Sequence, residues 1–230
     1  MSENPVIKIT RVLGQLLLML AILAAILFLP AGSLNWPQAW LLIAILGIYF
    51  LLYALWGIYR DPEQFQERSH IAKNVKRWDR IIMGTYTALL PAVFIVAGLD
   101  AVRFGWSEIP LVWQVLAWAG LIFAGILILW TVSTNTYLSR YVRIQEDRQQ
   151  QVVITGPYRY VRHPMYSGIL ILFLSLGPAL GSWCAIIPGA VIDILFFIRT
   201  AKEDKTLQKE LAGYQGYTEQ VRYRLIPGIW

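Results

Sequence analysis

The segment from Gln149 to Tyr166 carries a dense group of polar and aromatic side chains that could bind a ligand. Pro164 biases His163 toward an extended backbone and suits the first position of a helix. We therefore expect a helix to begin at Pro164, with His163 near its N-cap. The free N–H groups of that first turn and the helix dipole favour an anionic group nearby, and Arg159 and Arg162 add positive charge. The alternative is a basic, aromatic surface loop that fixes membrane topology.

Arg199 and Glu203 form a second candidate pair, because residues four apart share one face of a helix. Glu203 follows an apolar segment by one turn, at the level where residues 156–166 should also lie. The alternative is a surface ion pair worth about 0.3–0.5 kcal/mol.

Asp193 places a carboxyl group between two isoleucines of an apolar helix. Ionisable residues inside a membrane are costly and indicate function by default. The alternatives are a position at the wet edge of a shallow hairpin, or a pairing with another helix.

Several common catalytic motifs are absent from the sequence, including G-x-G-x-x-G after a strand, the P-loop and the G-x-S-x-G elbow. No alternation of strands and helices supports a soluble Rossmann-type enzyme. Cys184 is the single cysteine, which excludes an intrachain disulfide. With only His70 and His163 beside it, we expect no metal site.

Long apolar runs must position these residues. The chain is 57% hydrophobic and only 15% charged, whereas a soluble domain carries about 25% charged residues. Each run approaches the roughly 20 residues that cross a bilayer, and Trp and Tyr flank them as interfacial anchors. The runs are Leu13–Pro30, Ala39–Tyr59, Ile81–Leu99 and Leu111–Val132.

Two weaker apolar segments follow, Met165–Leu180 and Trp183–Ile198, separated by Gly181 and Ser182. They predict a helical hairpin that need not span the membrane fully. The fold class is therefore all-α, a polytopic membrane bundle of about six helices with a cytoplasmic extension from Arg199 to Trp230.

The basic residues predict the orientation. Of the 20 Lys and Arg residues, all but Arg103 fall on one side of the predicted spans, which is the cytoplasmic side by the positive-inside rule. Both termini should then be cytoplasmic. The net charge of +6 does not indicate a nucleic-acid partner, because the basic residues bracket apolar runs.

A family resemblance follows from these residues. Gly156-Pro157-Tyr158 followed by Arg162-His163-Pro164-Met165-Tyr166 resembles the signature of the isoprenylcysteine carboxyl methyltransferases, and membrane phospholipid N-methyltransferases carry a similar pattern. The resemblance covers roughly residues 135–230, and residues 61–80 also look like bacterial members. It continues with Arg199, Glu203, Leu207, Gly213, Tyr217, Val221, Arg224 and Pro227.

The resemblance implies an S-adenosylmethionine pocket at the cytoplasmic ends of the last helices, in a bacterial inner membrane. Residues 1–134 would form a four-helix membrane region, and residues 135–230 would bind the cofactor and carry out catalysis. Arg199 and Glu203 would be catalytic, with Arg199 facing the acceptor. Cofactor-binding residues would be Gln145, Gln150, Gln151, Val152, Val153, Tyr158, His163, Pro164, Met165, Tyr166 and Glu203.

This chain departs from the family pattern at two points. Asp204 stands where relatives often have a second glutamate, which leaves its role open. Gln150 and Gln151 replace a Gly-His-like pair, which leaves the adenosine contacts there open.

Methyl transfer from a sulfonium needs orientation and exclusion of water rather than a covalent intermediate. His163 suits the cofactor carboxylate, and Glu203 suits its ammonium group or ribose hydroxyls. Arg199 could orient an acceptor carboxylate by a forked hydrogen bond. Aromatic faces stabilise a sulfonium, and the candidates are Tyr158, Tyr160 and Tyr166.

The acceptor class stays open among a prenylcysteine-like carboxylate, a phospholipid amine and a small hydrophobic nucleophile such as a thiol. An alternative enzyme is an NADPH-dependent membrane reductase of the sterol reductase type, although the compact Arg-His-Pro block favours a methyl donor. A non-enzymatic transporter or scaffold would need polar residues at mid-membrane on broken helices, and only Asp193 offers one.

Overall fold

The computed structural model of the chain describes residues 5–64 and 75–230, with side chains from residue 10 onward. Its regular structure is entirely helical, and these residues contain no β-strand. His70, which entered the expectation about metal binding, and the basic residues Arg68 and Lys73 lie outside the described residues.

Four long helices form the first part of the fold. They are α1 (Pro5–Ala31), α2 (Pro37–Tyr59), α3 (Arg77–Gly98) and α4 (Leu111–Thr134). A π-helix, Leu99–Phe104, continues α3. Each of the four long helices is long and apolar enough to cross a membrane, so the four predicted runs are confirmed as helices of membrane-spanning length.

Glycine and proline set the ends of these helices. Gly32 follows α1 with a φ of +68°, a left-handed conformation that glycine adopts without a steric penalty. Pro37 then opens α2. Gly105, with a φ of +61°, ends the π-helix, and Pro110 precedes α4. Short connections of this kind make α1 and α2 neighbours in the bundle, and α1 also packs against α3.

Three further helices complete the chain: α5 (Pro164–Ala179), α6 (Ile186–Glu210) and α7 (Tyr214–Gln220). Two 3₁₀ turns, Glu146–Arg148 and Gly156–Arg159, lie in the connection between α4 and α5. With 16 residues, α5 is only about 24 Å long, which is shorter than the hydrocarbon core of a bilayer, roughly 30 Å.

Small residues let the last helices approach closely. A Cβ atom added at Gly168 of α5 would lie 2.7 Å from the Ile128 side chain and 3.3 Å from the Ala124 carbonyl of α4. Close backbone approach at small residues is typical of membrane helix packing. The helix α5 packs against both α4 and α6, and α6 also packs against α3. The start of α5 lies beside Glu203 and Asp204 of α6.

A buried carboxylate anchors the opposite end of the bundle. Asp100, in the π-helix, accepts hydrogen bonds from the Ser182 hydroxyl, the Ser107 hydroxyl and the Cys184 backbone N–H. The indole N–H of Trp36 donates to the Leu180 carbonyl nearby. These contacts fix the turn between α5 and α6, and the sequence pattern had not indicated them.

Candidate active site

A cleft opens where α4 ends, α5 begins and α6 continues beyond its apolar part. Every residue predicted to hold the cofactor lines this cleft except Gln145 and Pro164, and Arg199 lines it too. The structure therefore brings the Arg-His-Pro block and the end of α6 together. Asn135, Tyr214 and Tyr217 also line the cleft, although they were not among the predicted site residues.

The start of α5 is built as predicted. The helix begins at Pro164 with His163 as its N-cap residue, and no side chain caps its first turn. The backbone N–H groups of Arg162 and His163 donate to the carbonyls of residues 223 and 224, both at 2.9 Å. Arg162 is 7% exposed and His163 is 6% exposed. The alternative of a surface loop is therefore wrong for these residues.

Asp204 lies behind this helix start and is completely buried. Arg162 donates to its two oxygens from Nε at 2.8 Å and from Nη2 at 3.0 Å. Three other side chains donate at 3.0 Å or less, and the His163 ring nitrogen lies 3.3 Å away. The three donors are Gln208, Tyr214 and Arg224.

Hydrogen bonding keeps the Asp204 carboxyl ionised. Burial alone raises its pKa, but hydrogen bonds from His163, Arg162 and Arg224 outweigh that effect and hold the pKa well below the ordinary aspartate value. Burial and the charge of Asp204 raise the pKa of Tyr214, so its hydroxyl remains a neutral donor. This set of side chains, which we call the Asp204 cluster, fixes the wall of the cleft that Arg162 and His163 form.

The position of Asp204 follows a pattern in the sequence. Ile192, Phe196, Thr200 and Asp204 are four residues apart and all are buried, as expected for one face of α6. An acid that continues an apolar face indicates a partner inside the fold.

A second buried carboxylate, Asp79 in the first turn of α3, holds Arg199. The Nε of Arg199 donates to Asp79 at 2.7 Å, and its Nη2 donates to the Arg140 carbonyl at 2.9 Å. The Val142 backbone N–H donates to Asp79 at 2.7 Å. Since Arg199 is only 3% exposed and pairs with Asp79, the alternative of a surface ion pair with Glu203 is wrong.

Tyr166 links the two predicted blocks. Its hydroxyl donates to Oε2 of Glu203, and its ring is stacked with that of His163, with centroids 5.8 Å apart. The guanidinium carbon of Arg199 lies 5.3 Å from the Tyr166 ring centroid, within the range of a cation–π contact. Among the residues the structure describes, Glu203 forms no ion pair.

Gln145 supports the cleft from behind. Its side-chain amide donates to the Tyr137 carbonyl, and its Oε1 accepts from Arg148 at 2.9 Å. Its backbone N–H donates to the Gln150 side chain at 2.8 Å. Gln145 therefore braces the loop that carries residues 150–153.

Two of the three aromatic candidates lie at the cleft. Tyr158 lines it, and its hydroxyl accepts from the Asn135 side chain at 2.8 Å. Tyr217 donates to the Tyr158 carbonyl at 2.7 Å. Tyr160 is 63% exposed and is not part of the lining, which leaves Tyr158 and Tyr166 as the aromatic faces.

Asp193 lies outside the cleft lining, and neither of its side-chain oxygens has a hydrogen-bond partner among the described residues. Its functional role stays a prediction. Within residues 5–64 and 75–230, no group of three or more His, Cys, Asp or Glu side chains could hold a metal ion.

The fold and this cleft define an all-helical integral membrane protein with a polar site at one end of its helices. Residues 112–212 match the family model of the phospholipid methyltransferases. This match, from α4 to just past α6, confirms the resemblance to the family of membrane methyltransferases. No curated protein matches the chain.

Proposed function

We propose that the chain is an integral membrane methyltransferase that uses S-adenosylmethionine to methylate a lipid-soluble acceptor. One observation carries this proposal. Arg162 and His163 of the Arg-His-Pro block line the same cleft as Arg199 and Glu203 of α6, inside the region that matches the phospholipid methyltransferases.

The side chains of the cleft suit this cofactor. Glu203 lines the cleft and forms no ion pair among the described residues, and its carboxylate suits an ammonium group or ribose hydroxyls. Tyr158 and Tyr166 present aromatic faces for the sulfonium. The positive end of the α5 helix dipole lies at His163 and Pro164, which suits a carboxylate. Residues 150–153 form a further wall for the nucleoside.

When bound, the cofactor supplies an electrophilic methyl group: the acceptor lone pair bonds to this carbon, the carbon–sulfur bond breaks, and the sulfur keeps the electron pair as S-adenosylhomocysteine. The protein contributes orientation and exclusion of water. Glu203 accepts the proton that an N–H or S–H acceptor loses. Arg199 lies one turn closer to the apolar part of α6, on the side from which a lipid-soluble acceptor would arrive.

The membrane arrangement follows from the charges. We assign α5 and α6 as a hairpin of fifth and sixth membrane helices, with the cleft and both termini on the cytoplasmic side of a bacterial inner membrane. Arg143, Arg162 and Arg199 line the cleft, while Arg103 lies in the π-helix that contains Asp100. This asymmetry agrees with the positive-inside rule. In this assignment residues 1–134 form the membrane region and residues 135–230 carry the cofactor site.

A transfer assay tests the proposal. The purified protein in lipid nanodiscs is incubated with methyl-labelled S-adenosylmethionine and a membrane lipid extract, and lipid products are analysed by mass spectrometry. We expect a labelled lipid with the wild type and none with Glu203→Ala. NADPH oxidation is followed in parallel. NADPH consumption without methyl transfer would point to the reductase alternative, and the absence of both reactions would favour a transporter or scaffold.

A further inference from the structure

The guanidinium of Arg199 forms a buried ion pair with the carboxylate of Asp79. Its Nε donates to Oδ1 of Asp79 at 2.7 Å, and its Nη2 donates to Oδ2 of Asp79 at 3.3 Å and to the Arg140 carbonyl at 2.9 Å. Nη1 is the one nitrogen of this group without a partner among the described residues. A forked pair with a further carboxylate needs two adjacent free donors. Arg199 cannot supply such a pair while Asp79 holds it.

The pair between Asp79 and Arg199 is also fixed in place. Asp79 is fully buried and is held by the Val142 backbone N–H at 2.7 Å. The guanidinium lies over the rings of Tyr166 and Phe196. Removing one partner from such a pair leaves a buried charge without compensation. An acceptor carboxylate would therefore have to compete with a preorganised partner.

The two other arginines of the cleft lining are also paired with carboxylates. Arg162 pairs with Asp204 at 2.8 Å, and Arg143 pairs with Asp147 at 3.1 Å. Glu203, which lines the same cleft, forms no ion pair among the described residues. The negative charge of Glu203 would repel the ionised carboxylate of an acceptor placed beside it. An amine or a thiol instead carries a proton that Glu203 can accept during the reaction.

We propose that Asp79 is a specificity-determining residue. Because Asp79 pairs with Arg199, the guanidinium has no two adjacent N–H groups left for an acceptor carboxylate. The site therefore favours acceptors whose nucleophilic atom carries a proton, namely amines and thiols. This inference rests on the proposed function and narrows its acceptor class. Asp79 acts through Arg199 and does not itself touch the acceptor.

Matched acceptors test this assignment. Dodecylamine, dodecanethiol and dodecanoic acid share one chain length, and each is offered with labelled S-adenosylmethionine to the protein in nanodiscs. We expect the wild type to methylate the amine or the thiol at least about tenfold faster than the acid. Asp79→Asn can still accept from the Val142 N–H but no longer neutralises Arg199. It should raise the relative rate for the acid by about tenfold, as expected for one charge-assisted hydrogen bond.

Glu210→Gln is the control, because it breaks an exposed ion pair with Lys76 outside the cleft lining. It should keep the wild-type preference. Calorimetric binding of S-adenosylmethionine is measured for each variant, and Asp79→Asn should retain it. A wild type that prefers dodecanoic acid would overturn the inference, whether or not Asp79→Asn folds. A folded Asp79→Asn with an unchanged preference would overturn it as well. A wild type that does not bind S-adenosylmethionine would instead overturn the proposed function.

Discussion

Asp204 accepts two hydrogen bonds from Arg162, from Nε at 2.8 Å and from Nη2 at 3.0 Å, across 42 residues of sequence. This contact ties α6 to the segment that precedes α5. Arg224 joins the same carboxylate from the C-terminal segment at 2.9 Å. The wall of the cleft around His163 is therefore formed only when three separate parts of the chain are docked together.

Replacing Asp204 should destabilise the fold. Asp204→Asn leaves Arg162 buried without its counter-charge, and breaking a buried pair in this way costs about 3–5 kcal/mol. Thermal unfolding in detergent micelles should show a clear fall in Tm. Asp147→Asn is the matched control, because Asp147 forms an exposed pair with Arg143, and we expect no measurable change there. Equal Tm values for Asp204→Asn and the wild type would refute a structural role for the Asp204 cluster.

The Asp204 cluster also predicts acid sensitivity. Because the folded protein holds the pKa of Asp204 well below its ordinary value, its stabilising effect is fully present above the unfolded-state pKa of about 3.9. As the pH falls below that value, the unfolded chain binds a proton that the folded chain does not, and stability is lost. Tm measured from pH 7 to pH 3 should fall more steeply for the wild type than for Asp204→Asn. Parallel curves would show that another group dominates the acid response.

Tyr166→Phe should weaken cofactor binding in a protein that still folds. The change removes the hydroxyl that donates to Glu203 but keeps the ring stacked with His163. A hydrogen bond to a charged group contributes about 1.5–3 kcal/mol, so the Kd for S-adenosylmethionine should rise about tenfold or more. Tyr160→Phe is the control, since Tyr160 is exposed outside the cleft. Equal Kd values for the two variants would mean that the Tyr166 hydroxyl does not position Glu203.

Replacing two glycines of α3 by alanine should change the stability of the protein in opposite directions. A Cβ at Gly98 would lie 2.8 Å from the Leu27 carbonyl oxygen and 3.2 Å from the Ala31 nitrogen, both in the backbone of α1. Gly98→Ala should therefore cost about 1–3 kcal/mol through overpacking. A Cβ at Gly84 meets nothing within 4 Å, so Gly84→Ala should match or exceed wild-type stability. Unfolding in micelles measures both, and a neutral Gly98→Ala would contradict the packing of α1 on α3.

Local features of the sequence predicted much of the fold. The apolar runs predicted α1 to α4 because bilayer thickness imposes a minimum length on each. Pro164 predicted where α5 begins, because a proline restricts both itself and the residue before it. The spacing of Arg199 and Glu203 placed both on one helix, since helical periodicity is also local.

The partners of the buried charges had no comparable local signal. Asp79 and Arg199 are 120 residues apart, and their hydrogen bonds depend on how α3 packs against α6. The resemblance implied that Arg199 binds the acceptor, but it could not show that the guanidinium of Arg199 already donates two hydrogen bonds to Asp79 of α3. Gln145 braces the loop beside the cleft through its bonds to Tyr137 and Gln150, which the sequence did not indicate, and its predicted cofactor contact stays a prediction.

Calorimetric titration of S-adenosylmethionine into the purified protein tests the central claim most directly, because it asks whether the two blocks form one binding site. We predict one binding event for the wild type and for Glu210→Gln, and none for His163→Ala or Glu203→Ala, with all four proteins folded and inserted. Wild-type affinity in both alanine variants, or no binding by the wild type, would contradict the account.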